Sequence, residues 1–124
     1  MIEQKFVKDF FDAYEIDKAI AKNEIYIGHG VHMLKQLLIY VRKDVQTLDS
    51  AAYDQLKEKN KKLDADYDKK KKQIKHLYGQ GEDTIEDRTI KHQLLEEDHK
   101  RYRHELFYLQ DMAHAKGWFD AYTQ

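Results

Sequence analysis

The sequence predicts an all-α protein of four helices, with two N-terminal helices packed on the base of a long antiparallel coiled-coil-like hairpin. Three observations carry this prediction. Among 124 residues there is no proline and only five glycines, so little interrupts a helix. A seven-residue repeat runs on both sides of Gly79-Gln80-Gly81: Tyr53, Asn60, Tyr67 and Ile74 with Leu56, Leu63, Lys70 and Leu77 before it, then Ile85, His92, His99, Leu106 and Ala113 with Arg88, Leu95, Tyr102, Leu109 and Lys116 after it. Paired as antiparallel layers, Leu77 with Ile85, Tyr67 with Leu95, Leu63 with His99, Asn60 with Tyr102 and Leu56 with Leu106 all have residue numbers summing to 162. Half of that is 81, the second glycine of the turn, so periodicity and turn chemistry agree.

The chain reads as one domain over 1–124, divided into N-terminal helices (1–48), a hairpin (50–116) turning at 79–82, and an aromatic tail (117–124). An apolar stripe through Ile2, Phe6, Phe10, Ala13 and Tyr14 predicts the first helix over about 2–26. Val31, Leu34, Leu38, Val41 and Val45 predict the second over 31–47. The break is placed at Gly28-His29-Gly30, where two glycines cost about 2 kcal/mol inside a helix. If the helix instead continues, the glycines mark the close approach of another backbone. Asp49 or Ser50 caps the third helix, which runs to Tyr78. The capping box Asp83-x-x-Glu86 opens the fourth, and Gly117 closes it. The layers near the turn are polar and those near Leu56 and Leu106 apolar, which predicts a wet arm on a dry base. A short echo links the ends: Phe11-Asp12-Ala13-Tyr14 recurs as Phe119-Asp120-Ala121-Tyr122, each after another aromatic, and predicts one aromatic patch facing itself or a partner.

Composition narrows the function classes. With no cysteine, disulfides and thiolate metal sites are impossible. No signal-peptide pattern follows Met1 and no apolar run approaches the roughly 20 residues of a membrane span, so a cytoplasmic protein without a membrane partner is expected. The net charge of −1 gives no global attraction to polyanions, but charge is segregated. Lys57 to His76 carries a net +5 and Glu82 to Asp98 a net −5.

No nucleophile sits in a recognisable motif, so no catalytic residue and no enzyme activity is assigned, nor any cofactor. The favoured reading is an adaptor, assembly subunit or small inhibitor that binds another protein, with homodimerisation a further expectation. Its binding residues are read as Trp118, Phe119, Tyr122, Phe107, Tyr108 and Phe11, since aromatics beside arginines such as Arg101 and Arg103 are enriched in interface hot spots. Trp118 and Phe119 are expected to be exposed anchors. The alternative is a nucleic-acid-associated subunit using Lys61, Lys62, Lys69 and Lys72. A second alternative is a metal-binding bundle at His92, Glu96 and His99, which share a helix side at i, i+4 and i+7 but lack a second Glu-x-x-His. The favoured assignment for the two histidines is polar seam residues.

Overall fold

The computed structural model describes residues 2–78 and 85–120, apart from the side chains at 2–3, 77–78 and 85–87. Four helices form: α1 (Ile2–Ala21), α2 (Ile27–Leu48), α3 (Ser50–Tyr78) and α4 (Ile85–Ala115), and no strand occurs among the described residues. The α1–α2 pair packs on the α3–α4 hairpin chiefly through α2, which touches both long helices. The predicted glycine turn and Asp83 lie outside the described residues, as does Tyr122.

The break between the first two helices falls at 22–26, before the glycines rather than at them. Asn23 takes the left-handed conformation (φ 57°), and the Asn23 and Glu24 N–H groups donate to the Ile20 and Ala19 carbonyls at 3.1 and 2.9 Å. This is the Schellman ending, in which asparagine is the usual substitute for glycine. Gly28 and Gly30 therefore fall in the first turn of α2. Gly30 serves a packing need instead: a Cβ there would sit 2.5 Å from Ile20 Cγ1 and 2.8 Å from Ile25 Cδ1. Its missing side chain lets the two helices close at their shared corner.

The α2–α3 corner follows the expected chemistry. Asp49 is extended, and its Oδ1 accepts from the Ala51 and Ala52 N–H groups at 3.1 Å each. Those N–H groups have no partner within the helix, so the carboxylate satisfies them. Its other oxygen meets Lys116 Nζ at 2.8 Å, tying the start of α3 to the end of α4. Lys116 and these backbone donors hold the Asp49 carboxyl below the usual carboxylate range.

The core lies at the base. Phe6, Val7 and Phe10 of α1, Leu34, Leu38, Val41 and Val45 of α2, Ala52 and Leu56 of α3, and Leu106, Leu109 and Ala113 of α4 are buried in one cluster. Each large apolar side chain so removed from water contributes about 1.5–3 kcal/mol. Farther along the hairpin, burial thins to Leu63, Tyr67 and Ile90. The graded hairpin, dry below and wet above, is what the described residues show.

The layer pairing within the hairpin differs from the prediction. The Tyr67 hydroxyl lies 3.1 Å from His104 Nδ1, a residue well beyond Leu95 toward the base. Asn60 turns its amide to Glu105 and Arg42, not to Tyr102. His99 leaves the seam altogether and donates from Nε2 to Asp17 Oδ1 of α1 at 2.7 Å. The cause is that α4 serves three neighbours. It turns Arg101 and Glu105 toward α3, so the single heptad stripe expected of a two-helix seam is divided between two faces.

Candidate partner-binding surface

The strongest candidate surface is the edge where α1 meets the end of α4. The two helices run antiparallel there, with Asp17 at His99 and Phe6 at Trp118. After α4, Gly117 takes φ 71°, and the Gly117 and Trp118 N–H groups donate to the His114 and Ala113 carbonyls. This second Schellman turn reverses the chain, sends Trp118 into the core and lays Phe119 across α1. The Phe119 ring centroid is 5.1 Å from Phe10, 6.1 Å from both Phe6 and Phe11, and 5.0 Å from His114. The repeated aromatic motifs at the two ends of the chain thus meet: Phe11 and Phe119, equivalent in the echo, are neighbours.

Two rings of this edge stay open to solvent, Phe11 at 43% and Phe107 at 40% exposure. Phe107 and His114 are two turns apart on α4 and so share a side. Arg103 lies 5.5 Å over the Phe107 ring, with its Nε 3.5 Å from Asp17 Oδ2. Arg103, Phe107, His114, Phe119 and Phe11 therefore form one aromatic edge with a cation beside it, about 16 Å long on α4. Behind it, buried Asp17 and His99 lock α1 to α4, and Phe6 packs edge-on against Trp118 at 5.3 Å. The edge is presented on a fixed scaffold.

Sequence reasoning placed Phe11, Phe107 and Phe119 on a surface they do share. Trp118 is different: it is 9% exposed against Phe6, so the expected exposed anchor is a core residue. The residue after a left-handed turn packs back on the helix it leaves, which explains the burial. Tyr108 is half-buried on the α3 side, with Lys59 Nζ 5.7 Å from its ring centre. Lys61, Lys62, Lys69 and Lys72 are all exposed on α3.

The metal candidates are separated. His92 Nε2 pairs with Glu96 Oε1 at 2.8 Å on the exposed side of α4, while His99 points to Asp17. Among the described residues no three His, Asp, Glu or Cys side chains gather as a metal site.

Two features escaped the sequence. Glu105, fully buried, is gripped by Arg42 through Nε (2.7 Å) and Nη2 (2.6 Å) and by Arg101 one turn before it. Arg101 also donates to Asp64 Oδ1 at 2.7 Å, and the Asn60 amide fits with its nitrogen toward Glu105 Oε1 and its oxygen toward Arg42 Nε. Burial opposes the Arg101 charge, but Asp64 and Glu105 outweigh it and raise its already high pKa. Two cations and two anions cancel at the junction of α2, α3 and α4, an arrangement for structure more than for chemistry. The other feature is a groove of about 460 Å³ between α1 and α2, floored by Ile16, Met33, Leu37 and Tyr40. Met33, Leu37 and Tyr40 at i, i+4 and i+7 signalled a second apolar stripe on α2 flanking the core stripe.

No helix among the described residues is long and apolar enough to cross a membrane. No protein-family model matches the chain, and no significant match was found among curated proteins or solved structures.

Proposed function

We propose that this chain is a non-enzymatic interaction protein, an adaptor, assembly subunit or small inhibitor, that docks another protein on the α1–α4 edge. The observation carrying this reading is that Phe11 and Phe107 remain 43% and 40% exposed while the rest of the aromatic cluster around Phe119 is packed. Rings held by neighbours lose little entropy on binding, and a nearby arginine adds the composition of an interface hot spot. A second copy of the chain is one partner such an edge suits. The cysteine-free sequence supports a cytoplasmic setting as part of the same proposal.

The test is capture of partners from the native cell with the wild-type chain and with Phe11→Ala/Phe107→Ala, alongside sedimentation of the purified protein. Both substitutions remove exposed rings, so the fold persists. Loss of the captured partner, or of a dimer, supports the edge as the docking surface. An unchanged partner set and unchanged mass refute it.

A further inference from the structure

We infer that the outer face of α3 is a second binding surface, one that takes the phosphate backbone of a nucleic acid. Positions 61, 65, 69, 72 and 76 recur at steps of four, four, three and four, so they form one stripe along the helix. Lys61, Ala65, Lys69, Lys72 and His76 occupy it, with Lys62 and Gln73 on its border, and all seven are exposed. The stripe is about 22 Å long and carries no acid. Asp66 and Asp68 stand to either side of it, and Asp54 and Glu58 close it toward the base.

The acids of α4 whose side chains are described do not pair with this face. The cross-hairpin pairs are Lys71 with Asp98 at 2.8 Å and Arg101 with Asp64 at 2.7 Å among the described residues, both on the seam side of α3. Lys70 lies 4.5 Å from the Tyr67 ring centre, on another side again. Among the described residues, no carboxylate lies within salt-bridge distance of Lys61, Lys62, Lys69 or Lys72. Among the described residues, the segregated charge seen in the sequence is thus only partly spent within the hairpin. At the far end, Lys69, Lys72, Gln73 and His76 line a recess of about 500 Å³.

The stripe's chemistry selects the occupant. It carries no large apolar side chain, so it lacks the face an interfacial helix buries in a membrane. It carries no aromatic residue or arginine either, so it lacks the anchors of a protein interface. Four exposed lysines at 61, 62, 69 and 72, with Gln73 and His76 beside the last of them and no acid among them on the stripe, are suited to a row of phosphates, read without regard to base sequence.

The test is fluorescence anisotropy of a labelled mixed-sequence DNA duplex titrated with the full chain. Four lysines on B-form DNA give a log–log salt slope of about −3.6, so binding weakens roughly a hundredfold between about 50 and 200 mM salt. Replacing the four together, Lys61→Gln, Lys62→Gln, Lys69→Gln and Lys72→Gln, is expected to cut affinity at least about tenfold and flatten the slope. Lys35→Gln/Lys43→Gln on α2 is expected to change neither. A readout free of variants is acetylation of the wild-type chain: bound duplex protects Lys61, Lys62, Lys69 and Lys72 but not Lys35 or Lys43. Absence of binding at low salt, equal binding by the four-lysine variant, or uniform acetylation overturns the inference. So does displacement of the duplex by polyglutamate at equal charge, which would make an acidic protein the occupant.

Discussion

The base and the arm of the hairpin are built from the same two helices but are held by different forces. At the base, Leu56, Leu106 and Leu109 are fully buried against α1 and α2. Along the described part of the arm, α3 and α4 rely mainly on each other, and buried apolar contact reduces to Leu63, Tyr67 and Ile90 beside polar links such as Lys71 with Asp98. A two-helix arm cannot enclose an apolar core, because each helix leaves most of its circumference in water. Stability therefore concentrates at the base, and charge is free to serve recognition on the arm.

Between the two regions sits the Arg42–Glu105–Arg101–Asp64 cluster, and the largest expected effect lies there. Glu105→Ala leaves two guanidinium groups facing each other without their carboxylate, and should cost about 3–5 kcal/mol in urea unfolding. A loss below about 1 kcal/mol would show that the cluster does not join base to arm. Next, Leu106→Ala at the base should cost about 2–5 kcal/mol, whereas Ile90→Ala on the arm should fall at or below the lower end of that range. Equal losses would erase the distinction between base and arm. Hydrogen exchange sharpens it without mutation: amides of α3 beyond Tyr67 should exchange by local opening, and those of Val41, Leu56 and Leu109 only with global unfolding.

Two carboxylates make the comparison pH-dependent with opposite signs. Burial raises the Asp44 pKa, helped by Asp9 and opposed by Lys5, whose Nζ lies 3.3 Å from Asp44 and 2.8 Å from Asp9. The folded state then binds this proton more readily than the unfolded chain, so Asp44 weakens the fold at neutral pH and the deficit shrinks as pH falls through its raised pKa. Asp49 is depressed by Lys116 and the Ala52 N–H, so its contribution is present above the usual carboxylate range and lost as pH falls through the lowered value. Unfolding midpoints across the acid range should therefore shift one way for Asp44→Asn and the other for Asp49→Ala. The smallest effect expected is Lys71→Ala, at most about 1 kcal/mol, since both partners of that pair are partly solvated.

Much of the fold was legible because its signals are local. The a/d positions Leu56, Leu63 and Tyr67 are buried as expected, and Asp49 and Gly117 cap and stop their helices. The misplaced break shows what local reading misses. Gly28 and Gly30 look like helix breakers, yet the first turn of a helix tolerates them and Asn23 supplies the left-handed residue. For the candidate edge, Phe11, Phe107 and Phe119 were found from aromatic content alone. Trp118 was misjudged because its burial depends on Phe6, more than a hundred residues away.

What the sequence by itself determined is the set of helices, the antiparallel hairpin and its grading from apolar base to charged arm, since periodicity, caps and composition act within a few turns. Only the tertiary structure decided which face of α4 meets which neighbour. A helix packed against three others has no single stripe, so His99 could go to Asp17, Glu105 to two arginines and Phe107 to solvent. It also decided which lysines are spent, because pairing depends on the rotation of α3 about its axis. Charge counted along the chain carries no record of that angle.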